Sequence, residues 1–177
     1  MQRIAIIGTT GSGKTTLARQ ISQRLSIPHI ELDYLYWQPN WTETPTEIFR
    51  QKLSQKLTNN AWVVDGNYAL ARDIIWSQAD TLIWLNYSFP LVLWRITWRT
   101  FQRVIKKQAV CNGNYETWQI ALSKNSMILY VLQTYYQRKK EYSQIFTNPD
   151  HAYAHLQLLE MRTPSATQQW LSELPVA

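Results

Sequence analysis

Cysteine is all but missing from this chain: Cys111 is the only one among 177 residues. An internal disulfide is therefore impossible, and so is a metal cluster built on cysteine. Acidic residues are also scarce, 12 against 18 Lys and Arg, for a formal charge of +6. No apolar run approaches the ~18 residues that a membrane-spanning helix needs. Repeats, low-complexity tracts and linkers are absent. The chain opens directly on a strand-like segment, which leaves no room for a signal peptide and predicts a cytoplasmic protein. His29, His151 and His155 show no ligand spacing. His151 and His155 lie four apart without a third ligand, which argues against zinc.

What is present describes one globular domain spanning residues 1–177. Hydrophobic residues make up 45% and charged residues 17% of the chain, enough apolar material for a sizeable core. Nine Trp and ten Tyr are many for this length. Such rings fill cores, and they also stack on bases and other rings.

The most specific motif is Gly8-Thr9-Thr10-Gly11-Ser12-Gly13-Lys14-Thr15, followed by Thr16. It fits G-x-x-x-x-G-K-[ST], in which successive backbone N–H groups turn inward around an anion. Gly11 and Gly13 allow the backbone angles and the close approach. Lys14 reaches β- and γ-phosphates, and the Thr15 hydroxyl takes a position on Mg²⁺. The apolar run Arg3–Ile7 before it suits a buried parallel strand. The segment Thr16–Leu25 after it places Leu17, Ile21 and Leu25 on one helical face. The positive end of that helix dipole points at the phosphates.

Further strands are predicted at Ile27–Leu32, Ala61–Val64, Thr81–Leu85 and Ala154–Leu158. Helices are predicted from Thr44, with that residue as N-cap, to about Leu57; at Leu70–Ser77; and from Ser88 to about Gln108. Two helical stretches between about Ser123 and Phe146, with a bend near Gln137, and a last helix after Thr163 complete the pattern. Strands alternating with helices indicate an α/β doubly wound parallel sheet, with ligands at the carboxyl ends of its strands.

Two aspartates fall at such ends. Asp65 follows Trp62-Val63-Val64 and suits a Mg²⁺ ligand; its other role is to cap the turn at Gly66. Asp33 follows the second strand and suits orienting or deprotonating an acceptor hydroxyl, or capping the next turn. The aromatic loop Tyr34–Trp41 suits an acceptor wall or core packing. In the segment Leu91–Lys107, Leu91, Trp94, Trp98, Phe101 and Ile105 gather on one helical face. Arg95, Arg99, Arg103 and Lys106 gather on another, and no acid lies between Thr81 and Tyr115. Three arginines without acidic partners favour phosphate neutralisation over a merely solvated face.

With these residues in place, the chain resembles the adenylate kinase-like branch of P-loop proteins, which includes nucleoside monophosphate kinases and shikimate kinase. Within it, the chain is most similar to the DNA topology modulation (FlaR-like) proteins, often labelled AAA-family ATPases. The likeness rests on Gly8–Thr15, Glu31–Trp41, Val64-Asp65-Gly66-Asn67-Tyr68, the arginines Arg95 to Arg103, and Asn112-Gly113-Asn114-Tyr115-Glu116. It implies a three-layer sandwich around a five-stranded parallel sheet of order 2-3-1-4-5. It also implies a helical lid at about 88–140 whose basic helix approaches only on closure.

The activity implied is transfer of the γ-phosphoryl of ATP, with Mg²⁺, to a small hydroxyl or phosphate acceptor. The acceptor side comprises Asp33, Tyr34, Asp65, Asn67 and Arg72. The chain reads Asp65-Gly66-Asn67-Tyr68-Ala69 where monophosphate kinases read Asp-Gly-Phe-Pro-Arg, so a nucleotide acceptor is not implied. The second aspartate of the shikimate kinase Asp-x-Asp pattern is absent after Asp33. A nucleotide-dependent switch or DNA-associated ATPase, as monomer or homodimer, is the alternative reading.

Overall fold

A computed structural model describes residues 1–124, 126–148 and 153–176. Its centre is a parallel sheet of five strands: β1 (Arg3–Gly8), β2 (His29–Glu31), β5 (Trp62–Asp65), β6 (Thr81–Leu85) and β7 (Gln157–Met161). Their spatial order is β2-β5-β1-β6-β7, the 2-3-1-4-5 order expected. Ile6 lies beside Asp65 and Gly8 beside Leu85 in register. The glycine loop therefore leaves the sheet between two strand ends.

Alternation along β1 builds two core layers. Ile4 and Ile6 pack with Leu17, Ile21, Val92 and Ile96, whereas Ala5 and Ile7 pack with Phe49, Leu53, Ile75 and Trp84. The first layer carries α1 (Lys14–Leu25), α5 (Phe89–Ile105) and α8 (Pro164–Glu173); the second carries α3 (Thr46–Lys56) and α4 (Arg72–Gln78). The long α7 (Met127–Thr147) serves both, through Val131 and Tyr135 in one and Tyr142 in the other. Strands buried on both faces read as unbroken apolar runs, which is why they were legible.

Several local expectations change. The aromatic stretch is not a loop. It forms the short helix α2 (Leu32–Tyr36) and a small antiparallel hairpin, β3 (Trp37–Gln38) with β4 (Thr42–Glu43). Thr44 does not cap α3: Pro45 occupies that position, and the buried Thr44 hydroxyl donates to the Leu35 carbonyl at 3.0 Å. Closing the hairpin outweighs one capping bond here, because a buried hydroxyl must find a partner. Residues 127–147 form one continuous helix with no bend at Gln137, because no Pro or Gly interrupts the ladder. The short α6 (Trp118–Ala121) precedes it, and the fifth strand starts three residues later than expected, at Gln157. His151 lies outside the described residues.

In α5 the two predicted faces do separate, but the core takes neither. Val92, Ile96, Thr100 and Val104 are buried, while Trp94, Trp98, Phe101 and Ile105 are exposed. No described helix is long and apolar enough to cross a membrane.

Candidate active site

Everything at the site grows from the tight turn between β1 and α1. Gly8, Gly11 and Gly13 have φ of 149°, 87° and 97°, values that side-chain-bearing residues rarely adopt. Space adds a second reason at Gly11, where a Cβ would lie 3.1 Å from the Val92 carbonyl and 3.2 Å from Ile96 Cβ. Helix α5 thus rests directly on the loop. Thr9 and Ser12 are buried within it, Thr10 is half-buried, and Thr16 is exposed on the first turn of α1.

Lys14 folds back over the loop, its Nζ donating to the carbonyls of Gly8 at 2.8 Å and Thr9 at 3.3 Å. Enclosure of the ammonium lowers its pKa to about 8, against the opposing pull of Asp65 and Asp33. Arg138 and Arg99 also lower it, so both guanidinium groups stand within electrostatic range.

The two residues expected to hold metal meet. Thr15 Oγ1 donates to Asp65 Oδ2 at 2.6 Å, and Asp65 is 3% exposed at the end of β5, which lies between β2 and β1. Its other oxygen, Oδ1, lies 2.6 Å from His29 Nε2. A hydroxyl beside a carboxylate at the mouth of a phosphate-type loop is an all-oxygen donor set suited to Mg²⁺. His29, to which the sequence assigned no role, fixes the angle of that carboxylate. Its signal was its place at the start of the strand that pairs with β5, where His29 stands opposite Val63.

Asn67 holds the loop from the other side. Its amide accepts from Gly8 N at 3.3 Å and donates to the Gly8 carbonyl. Asp33 sits in the first turn of α2, and its Oδ1 accepts from the Tyr68 hydroxyl at 2.7 Å. Burial raises the Tyr68 phenol pKa, and Asp33 adds to the effect, so the hydroxyl stays a donor. Glu31, before the turn, is raised by burial and by its neighbours Asp65 and Asp33.

The arginine row of α5 divides into three environments. Arg95 Nη1 already donates to the Ser12 carbonyl at 3.1 Å, and its guanidinium lies over the Tyr87 ring. The expectation that this helix approaches only on closure therefore fails for Arg95; packing of Val92 and Ile96 into the core seats it there. Arg103 is not free of acids, as expected, but pairs with the buried Glu116 at 2.6 Å. Thirteen residues of chain separate them, so local charge counting could not see the pair. Arg99 lies between the two, and among the described residues it makes no hydrogen bond or ion pair. Burial lowers its pKa to about 10, and Arg103 adds to the effect while Glu116 and Asp33 oppose it.

Arg72 is less available than its place in the sequence suggested. It donates to Glu141 at 2.5 Å and stacks over Trp76. It nonetheless lines an open cavity of about 250 Å³ with Asn67, Thr134, Arg138 and Glu141. Arg138, on α7, donates to the Tyr130 hydroxyl. It was invisible in the sequence because it lies in a mixed run of Lys, Arg and Glu. Tyr34 is half exposed, and its side chain leans on none of these groups through a hydrogen bond in the structure.

The hairpin is clamped from the α5 side. Asn112 Nδ2 donates to the Tyr34 carbonyl at 2.9 Å and to that of Trp37 at 2.5 Å. The buried Asn114 accepts from Trp41 N at 2.8 Å and donates to the Gln38 and Cys111 carbonyls, both at 2.9 Å. Asn112-Gly113-Asn114, a simple chain break in the sequence, is the fastening of the acceptor-side wall. Tyr36 and Tyr68 pack on the fully buried Phe49, so that part of the aromatic stretch belongs to the core.

Several known proteins are similar to this chain in sequence or in fold. A family model described as ethanolamine utilisation – propanediol utilisation (PduV-EutP) matches residues 1–77. The uncharacterized protein YqaC of Bacillus subtilis (strain 168) is 31% identical over 117 residues, 65% of this chain and 66% of YqaC. The shikimate kinase of Flavobacterium psychrophilum is 33% identical over 52 residues, 29% of this chain and 30% of that enzyme. The chain therefore spans just under two thirds of one curated relative and under a third of the other. Among solved structures, the shikimate kinase of Bacteroides thetaiotaomicron superposes with a TM-score of 0.57 at 18% identity, covering 98% of this chain and 99% of that one. The Acinetobacter baumannii shikimate kinase in complex with shikimate gives 0.57 at 15% identity, covering 98% and 90%. The chain thus shares the fold of these two solved shikimate kinases.

Proposed function

We propose that this protein is an ATP-dependent kinase of a small, hydroxyl-bearing, anionic acceptor. The observation that carries this reading is the 2.6 Å contact between Thr15 and Asp65, which joins the loop hydroxyl to a strand-end carboxylate. Loop backbone groups and Lys14 hold the β- and γ-phosphates, and binding draws the Lys14 ammonium away from the Gly8 and Thr9 carbonyls. Thr15 and Asp65 would hold Mg²⁺, which when bound neutralises charge on those phosphates. His29 and the Asp65 backbone keep the carboxylate aimed at that position.

On the acceptor side, Tyr68 occupies one oxygen of Asp33 and leaves the other for the incoming hydroxyl. The acceptor oxygen attacks the γ-phosphorus, the bond to the β-bridging oxygen breaks, and the hydroxyl proton passes to Asp33. Arg95 and Arg99 spread the charge of the moving phosphoryl. Arg99 supports this role because an unpaired buried guanidinium is costly until an anion meets it. Arg103, tied to Glu116, positions the helix instead. The cavity beside Asn67, with Arg72 and Arg138 at its wall, suits a carboxylate or phosphate on the acceptor. Of the lid expected at about 88–140, α5 and α7 are seated in the core, which leaves the segment between them to close over the site. The DNA-associated alternative loses support because Arg95 is engaged by the Ser12 carbonyl and Arg103 by Glu116 rather than displayed to solvent.

The test is ADP release from ATP and Mg²⁺ across hydroxy acids, sugars, sugar phosphates and nucleosides. One acceptor should stimulate turnover, and Lys14→Ala should abolish the stimulation. Acceptor-independent hydrolysis that is unchanged by every compound would overturn the kinase reading.

A further inference from the structure

The outward face of α5 carries a row of rings that the site does not use. Trp94 and Trp98 stack at 6.0 Å, Trp98 and Phe101 at 5.8 Å, and Phe101 meets Trp118 edge-on at 6.1 Å. With Ile105 and Leu122, these side chains are each between 43 and 84% exposed. An aromatic side chain covers roughly 150–250 Å², so the row leaves about 600–700 Å² of apolar surface in water. The largest such patch on an ordinary monomer is about 300–600 Å². Two copies of this one would bury about 1,200–1,400 Å², within the range of specific protein–protein interfaces.

Charge decides between occupants. A lipid surface or a nucleic acid needs cations displayed beside the rings. Here the helix turns its arginines inward, Arg95 to Ser12 and Arg103 to Glu116, and Arg99 lies half-buried between them. The exposed cations stand at the margins of the row, Lys106 and Lys107 at one end of the helix and Lys124 two residues past Leu122. The row itself holds no charged side chain, so it can meet its own copy without setting like charges opposite each other.

We infer that the Trp94–Trp98–Phe101–Trp118 face is a homodimer interface, formed by two α5 helices packing antiparallel across a twofold axis. The midpoint of the row then sets Trp98 against Phe101 of the partner subunit, and Trp94 against the partner's Ile105. The two Lys106 side chains fall about 20 Å apart at 1.5 Å per residue, beyond the screening length at physiological salt. Each site stays within its own chain, and the interface lies on the back of the helix that bears Arg95 and Arg99.

Sedimentation equilibrium of the full chain tests this. The expected mass is twice the 20.9 kDa of one chain. Trp98→Glu and Phe101→Lys should each halve the mass, and mixing the two variants should restore a dimer, since each places its charge opposite the other's. Thr97→Arg, at an exposed position flanking the row, should also halve the mass and serves if the ring variants fail to fold. A wild-type chain that is monomeric at tens of micromolar, or a dimer that survives all three substitutions, would overturn the proposal. Binding of a monomeric wild type to phosphatidylserine vesicles would assign the face to lipid instead.

Discussion

The two halves of the cleft are held together by different kinds of bond. On the donor side, near neighbours close the turn itself, with Ser12 N donating to the Thr9 carbonyl and Lys14 to those of Gly8 and Thr9, while Asn67 and Arg95 brace it from farther along the chain. On the acceptor side, the hairpin is held by Asn112 and Asn114 from more than seventy residues away. A locally closed turn keeps its shape wherever it is placed. A wall pinned by distant amides keeps its shape only while the rest of the fold holds it. The donor half is therefore the constant part of this protein and the acceptor half the adjustable one.

The largest effect expected is at the centre of the donor half. Lys14→Ala should reduce phosphoryl transfer by about 10³-fold or more. The circular dichroism spectrum should stay unchanged, because the ammonium holds only carbonyls that the loop can leave to water. A comparable loss of secondary structure would show that the donor half is not self-closing.

Arg99→Met separates function from stability at the seam between the halves. Turnover should fall about 10²-fold. The melting temperature of the ligand-free protein should rise, because a neutral chain of similar length removes a buried charge without a partner. A fall in melting temperature would mean that Arg99 is a structural ion rather than a waiting one.

A third effect is set by pH. Enclosure holds the Lys14 ammonium at a pKa of about 8. Its phosphate-binding, protonated form therefore predominates at pH 7 and is lost as pH rises through 8. Nucleotide affinity should fall up to about tenfold per unit above that point. Calorimetric titrations at pH 7, 8 and 9 measure it, and in Lys14→Ala the slope should vanish.

The smallest effect on turnover lies on the acceptor side. Asn114→Ala removes three hydrogen bonds. It should lower stability by about 2–3 kcal/mol, measured by urea unfolding. The KM for the acceptor should rise about fivefold, the amount expected for a loosened wall rather than a lost contact. Nucleotide affinity should stay within a factor of two; a larger change would show that the halves are not separable.

The same division explains what the sequence disclosed. The Gly8–Thr15 turn, the four central strands and Asp65 were legible because their signals are local: glycines where φ is positive, apolar runs where both faces are buried, and an acid at a strand end. The hairpin at Trp37–Glu43 was not, because its stability comes from amides supplied by residues 112 and 114. Arg103 and Glu116 illustrate the same limit. A charge count along one helix cannot register an acid beyond its end. His29 was passed over as a lone histidine, since only sheet register brings it to Asp65. Sequence spacing also grouped the α5 rings correctly but did not say that β-branched Val92, Ile96, Thr100 and Val104 would take the inward face. Those narrower side chains let the helix lie close on Gly11.

Gly66 joins the two aspartates more rigidly than any bond. Its φ is 143°, and a Cβ there would lie 2.8 Å from Leu32, the residue before Asp33, while Gly66 itself follows Asp65. The spacing of the two carboxylates is thus a fixed gauge, set by the absence of one methyl group. A laboratory selection for new acceptors should accordingly collect its winners along the rim of the hairpin, at positions 37 to 43, and return glycine at position 66 every time.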